Sequence, residues 1–193
     1  MYSVKNNSKY ELVIKNSKFI TLIYKINDIN SINNILDNVR KLYPDATHYC
    51  YAYIIDDIKK TSDDGEPSGT AGVPILKVLE NNQLTNILLI VVRYFGGIKL
   101  GANGLIRAYS KCSANAIKEN ILCELVDGYN VDITFNYNEV KKIDYLLRDI
   151  EINKKEYNDL ITYNIDIPCN FLDVIKDNNI DYSINKDIKI ERD

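Results

Sequence analysis

Two short stretches concentrate the residue types that do chemistry. The first, "SDDGEPSGTAGVP" (62–74), places Asp63, Asp64 and Glu66 within four residues and follows them with Ser68 and Thr70. Carboxylates this close can hold a hard divalent cation such as Mg²⁺ or Mn²⁺. The second, "RYFGGIKLGANGLIRAYSK" (93–111), sets Arg93, Lys99, Arg107 and Lys111 around Gly96, Gly97 and Gly101. Glycines between a strand and a helix turn the backbone sharply and leave N–H groups free, which is how anion sites are commonly built.

Each stretch also has a plainer reading. The acidic spacing is not that of a calcium loop, and Ser68 and Thr70 stand where they would cap a helix starting near Pro74. Carboxylates ahead of a helix are favoured by its dipole in any case. The glycines fit neither a dinucleotide-binding fingerprint nor a phosphate-binding P-loop, so the basic stretch is either an anion site or a tight turn followed by a solvated cationic face. The acidic and basic loops could also simply pair with each other.

His48 is the chain's single histidine. A Ser-His-Asp or Cys-His site would have to use it, yet Cys50 two positions on shares its strand face, a poor arrangement for nucleophile and base. No catalytic residue is assigned. Tyr49, Tyr51 and Tyr53 alternate on the other face, where sheet packing is the commoner use and base stacking the alternative. The four cysteines, Cys50, Cys112, Cys123 and Cys169, show no C-x-x-C pair and read as free thiols.

The elements that must position these residues follow from periodicity. "YELVIKNSKFITLIYKI" reads as two strands around a turn at Asn16-Ser17, and Ile29, Ile32, Leu36, Val39 and Tyr43 have helical spacing. A strand over 47–56 leads into the acidic loop, and a short helix runs from about Pro74 to Asn81. "NILLIVVRYF" (86–95), apolar until Arg93, reads as a central strand covered on both faces, and a helix follows from about Gly104 to Lys118. After Gly128 the pattern restarts: strand 129–136, helix 139–150, strands 151–157 and 160–167, helix 170–178, strand 180–190. That βαββαβ order is ferredoxin-like.

At 193 residues and 46% hydrophobic, the chain can fill one substantial core or two modest ones. Seven of its eight glycines lie between Gly65 and Gly104, so the special backbone conformations fall in the first part. Residues 1–124 carry 15 Lys and Arg against 12 Asp and Glu, whereas 125–193 carry 9 against 15. This asymmetry points to different partners for the two parts. With no apolar run of membrane-spanning length and no signal-peptide core, the expected location is the cytoplasm.

"THYCYAY", "SDDGEPSGTAGVPIL" and "TNILLIVVRYFGGIKLGANGLIRAYS", in that order, make the sequence resemble the IMPACT/YigZ family over about residues 5–120. Asn103 stands where the family pattern has glycine, and Asn tolerates a left-handed backbone better than other side chains. The resemblance implies a two-domain α+β protein. Residues 1–125 would form a ribosomal-protein-like α/β sandwich, resembling domain 2 of a ribosomal small-subunit protein. Residues 126–193 would form a ferredoxin-like domain similar to one in elongation factor G. Eukaryotic relatives regulate translation by interfering with activation of an initiation-factor kinase, through an additional interaction domain, so that mechanism is not carried over.

Together these readings lead to a translation-associated binding protein that contacts RNA, the ribosome or translation factors. Arg93, Lys99, Arg107 and Lys111 would bind phosphates with Gly96, Gly97 and Gly101. His48, Asp63, Asp64, Glu66, Ser68 and Thr70 form the companion family-motif loop, and the acidic second domain would meet a protein partner. No cofactor is expected; Mg²⁺ on Asp63, Asp64 and Glu66 belongs to the alternative of a metal-dependent enzyme acting on a phosphorylated or nucleotide substrate. A protein–protein interaction module is the third reading.

Overall fold

After a short strand β1 (Tyr2–Val4), β2 (Ser8–Ile14) and β3 (Ser17–Lys25) pair antiparallel with Ile14 opposite Ser17. The two residues between them, Lys15 and Asn16, have φ of 46° and 65°. A two-residue turn with both φ positive matches the right-handed twist of the strands it joins. The computed structural model describes residues 1–192, which cluster as two units, Met1–Cys123 and a second beginning at Glu124.

In the first unit, helix α1 (Ser31–Leu42) follows as its apolar spacing predicts, burying Ile32, Leu36 and Val39. Strand β4 (His48–Ile55) then turns back as β5 (Ile58–Ser62), a strand that the charged sequence "IKKTS" did not announce. Helix α2 (Gly72–Asn81) begins two residues before Pro74. Proline still sits in the first turn, where an N–H would have no helical partner. Strand β6 (Ile87–Tyr94) is followed by α3 (Gly101–Lys118), which starts one turn earlier than expected.

The sheet order is β2-β3-β6-β4-β5, so β6 is central and antiparallel to both neighbours. Residues Ile87–Arg93 are all buried, as a strand covered on both faces requires. Leu89 and Val91 face Ile75, Leu79, Leu105 and Tyr109 of α2 and α3. Leu88, Ile90 and Val92 face Leu36 and Val39 of α1, together with Tyr49, Tyr51 and Tyr53. The tyrosine stripe is therefore packing, and each fully buried Leu or Ile contributes about 1.5–3 kcal/mol relative to exposure.

The second unit, from Glu124 on, is built from all but the first two residues of β7 (Leu122–Phe135), a 3₁₀ turn (Tyr137–Glu139), α4 (Val140–Leu146), β8 (Ile152–Tyr157), β9 (Ile161–Pro168), α5 (Phe171–Asp177) and β10 (Asp181–Arg192). Strand β7 starts well before the expected 129, and α4 stops at Leu146 rather than 150. The order β10-β7-β9-β8, all antiparallel, is the ferredoxin-like arrangement. Val131, Ile133, Phe135, Ile161, Tyr163 and Ile165 alternate onto one face and pack with Ile143, Leu172 and Ile175 of α4 and α5. The fold is thus a two-domain α+β arrangement.

Candidate functional site

The acidic loop is held by its own carboxylates. Asp63 accepts backbone N–H groups from Gly69 (2.8 Å), Ala71 (2.9 Å) and Gly72 (2.8 Å), so it closes the start of α2. Burial pushes this carboxyl up, but the three N–H bonds outweigh it and hold the group below the ordinary Asp value. Capping, expected of Ser68 and Thr70, thus falls to Asp63; Thr70 Oγ1 instead donates to the Pro67 carbonyl (2.6 Å) and Ser68 is exposed. Gly72 is required by contact, because a Cβ there would stand 2.9 Å from Ser62 N.

Asp64 faces the other way. Its Oδ2 accepts the Tyr49 N–H at 2.7 Å and its Oδ1 lies 3.6 Å from Arg40. The Asp64 carbonyl sits 2.8 Å from His48 Nδ1. A carbonyl can only accept, so Nδ1 carries a proton and Nε2, 3.8 Å from Glu66 Oε2, is the other face of the ring.

Glu66 reaches inward. Its Oε1 accepts from Arg93 Nη1 at 2.5 Å and from the Tyr109 hydroxyl at 2.8 Å, with the Glu66 and Arg93 side chains only 3% and 5% exposed. Tyr109 also receives the Cys50 thiol at 3.3 Å, and burial pushes both the phenol and the thiol far up. Arg93 Nη2 donates to Ser17 Oγ at 3.4 Å, and the same oxygen takes the Gly96 N–H at 3.2 Å. The guanidinium carbon lies 5.4 Å from the Phe19 ring centre and 5.6 Å from that of Phe95. Arg93 therefore couples the acidic loop to the glycine turn. Gly96 makes that turn feasible: a Cβ there would fall 2.1 Å from the Asn16 carbonyl carbon.

The remaining cations behave differently. Lys99, Arg107 and Lys111 are exposed, and none has a carboxylate partner among the described residues. On α3, Asn103, Arg107, Lys111, Ala114 and Lys118 are all exposed while Leu105, Ala108, Tyr109, Cys112 and Ala116 are buried. At 3.6 residues per turn these exposed positions form one stripe, with about 6 Å of rise from Arg107 to Lys111 and about 16 Å from Arg107 to Lys118. The helix contains no Asp or Glu. Ahead of it, among the described residues, no protein acceptor takes the N–H groups of Gly97 through Asn103. Gly97 and Gly101 have φ of 83° and 69°, and open space lies where a Cβ would stand.

The sequence-derived residues therefore divide. His48, Asp64, Glu66 and Arg93 come together in a mostly buried polar cluster, while Lys99, Arg107 and Lys111 lie on the surface with the free N–H groups. The three carboxylates diverge, and among the described residues no three His, Cys, Asp or Glu side chains meet as a metal-binding group. Sequence reasoning overlooked Ser17, Phe19 and Tyr109, whose partners are distant in sequence. It also overlooked Phe95 and Ile98, each 46% exposed on either side of the glycine pair; two apolar residues flanking Gly-Gly in a polar turn were the available signal. None of the helices is long and apolar enough among the described residues to cross a membrane.

Residues 15–117 match the family model described as the Impact N-terminal domain. The chain is 39% identical over 158 residues to the IMPACT family member YvyE of Bacillus subtilis, covering 80% of this chain and 73% of that one. It is 32% identical over 163 residues to the IMPACT family member YigZ of Escherichia coli, covering 81% and 80%. A crystal structure of a hypothetical protein superposes with a TM-score of 0.67 at 26% identity, over 96% of this chain and 97% of the other.

Proposed function

The chain belongs to the IMPACT family, and from that premise we propose a translation-associated binding protein whose first unit takes up RNA phosphates at the start of α3. The translational half of this reading comes from what the family resemblance implies for its eukaryotic relatives. The phosphate half comes from one observation: backbone N–H groups from Gly97 to Asn103 that are unclaimed among the described residues run into a helix face bearing Arg107 and Lys111, which have no carboxylate partner there either. Free N–H groups at a helix start and unpaired cations both favour an anion.

Arg93 has a supporting role in this reading. Its charge is matched by Glu66, so it holds the turn in place and the phosphates meet Lys99, Arg107 and Lys111 instead. The acidic loop acts as the brace that fixes this geometry, through Asp63 at α2 and Glu66 at Arg93. The second unit, in which acidic residues outnumber basic ones, is assigned to a protein partner. Fluorescence anisotropy with labelled RNA across a salt series tests the reading. Wild-type affinity should fall steeply with salt, and Arg107→Ala should weaken binding and flatten the slope. An Arg107→Ala/Lys111→Ala variant that binds like wild type at every salt concentration overturns it.

A further inference from the structure

The cationic face of α3 is a line, not a point, and that limits what fits it. Arg107, Lys111 and Lys118 extend over about 16 Å of helix, with Lys99 and the free N–H groups beyond the N-terminal end. A single phosphate or a mononucleotide would engage one end and leave the rest unmatched, whereas a polymer with repeated anions matches the whole stripe. At the glycine end the surface changes character. Phe95 and Ile98 stand almost half exposed on either side of Gly96-Gly97. The Phe95 backbone N–H donates to Thr47 Oγ1 at 3.0 Å, and the buried Arg93 guanidinium lies 5.6 Å from the centre of the Phe95 ring. An exposed aromatic ring together with a row of cations is the combination used to bind unpaired bases on a tracked backbone.

We propose that Phe95 is a stacking platform for an unpaired base of a single-stranded RNA whose phosphates run along the exposed face of α3. The proposal rests on the phosphate-binding reading and adds to it a base contact and a preference for unpaired strands. Duplex RNA keeps its base faces stacked on one another and leaves Phe95 unmatched. In this arrangement the Glu66–Arg93 pair acts through position: it anchors the cation on which the Phe95 ring rests.

The test uses the full chain with three probes: a single-stranded RNA of about ten nucleotides, the corresponding duplex, and inorganic polyphosphate, which carries the charge without bases. Phe95→Leu keeps apolar volume but removes the π-face, and Phe95→Tyr restores it; circular dichroism verifies that each variant is folded. The single strand should bind wild type more tightly than the duplex. Phe95→Leu should weaken single-strand binding by at least about five-fold and leave polyphosphate binding unchanged, while Phe95→Tyr retains wild-type affinity. If Phe95→Leu binds the single strand as wild type does while Arg107→Ala weakens it, stacking is wrong and phosphate binding stands. If neither single strand nor polyphosphate binds, both readings fall. Displacement of the RNA by poly-glutamate at equal charge overturns the proposal in favour of an acidic protein partner.

Discussion

Glu66 Oε1 lies 2.5 Å from Arg93 Nη1, linking the acidic loop to the end of strand β6, 27 positions apart in sequence, through an ion pair almost sealed from water. Such a pair adds little over apolar residues of the same shape, but breaking it strands a charge.

Arg93→Met is therefore expected to destabilise the first unit by about 3–5 kcal/mol, read by urea denaturation. Arg93→Met/Glu66→Leu should recover part of that loss, because no charge is left without its partner. A double variant no more stable than Arg93→Met would show that the loss arises from packing against Phe19 and Phe95.

Asp63 sets an acid limit on stability. Its carboxyl is held below the unfolded value of about 3.9, because three N–H bonds outweigh burial. The stabilisation is thus fully present above that value and is lost as pH falls through the lower folded value. Asp63→Asn should cost about 1 kcal/mol near neutrality, since its amide nitrogen cannot accept a third N–H. The stability gap between wild type and variant should hold constant above about pH 5 and close below it. A gap that widens on acidification contradicts the capping role.

The sequence shows the layers of the fold more clearly than the contacts of the site. Strand β6 and helix α1 are legible because burial imposes apolar runs and helical spacing on them. Strand β5 is hidden because an edge strand exposed on both sides needs no alternation; its Lys59 and Lys60 look like loop. Arg93 looks like the first free cation after an apolar strand. Its partner Glu66 sits on the acidic loop, and only the β4–β6 pairing, with His48 opposite Arg93, brings that loop near. Pairings of this kind depend on sheet order, which local pattern does not encode. The stripe Arg107–Lys111 is legible because helix periodicity is local.

Alanine at Arg107 or Lys111 should lower the salt dependence of RNA binding by about 0.7 in the log–log slope per side chain. Lys77, exposed on α2, is the control, and its alanine variant should leave the slope unchanged. Equal slopes for all three variants would remove α3 from the interface.

Thiol labelling should resolve the four cysteines. Burial raises Cys50 strongly and pushes Cys112 up to about 11. Cys123 is also buried, which leaves Cys169 as the accessible thiol. At pH 8, one thiol should react rapidly with an aromatic disulfide reagent and the other three only on unfolding. Rapid reaction of Cys50 would mean that the acidic loop opens in the native state.

The close approach of Gly96 to Asn16 bears on where this protein can carry a probe. A two-residue hairpin turn is ordinarily a convenient place to graft an epitope or a fluorophore-bearing peptide, and the β2–β3 turn looks suitable on a topology diagram. Here the turn backbone is itself the seat of the glycine loop, so a graft would pry apart the surface it was meant to report on. The β4–β5 turn at Asp56-Asp57, both exposed, is the better insertion point for labels and immobilisation tags.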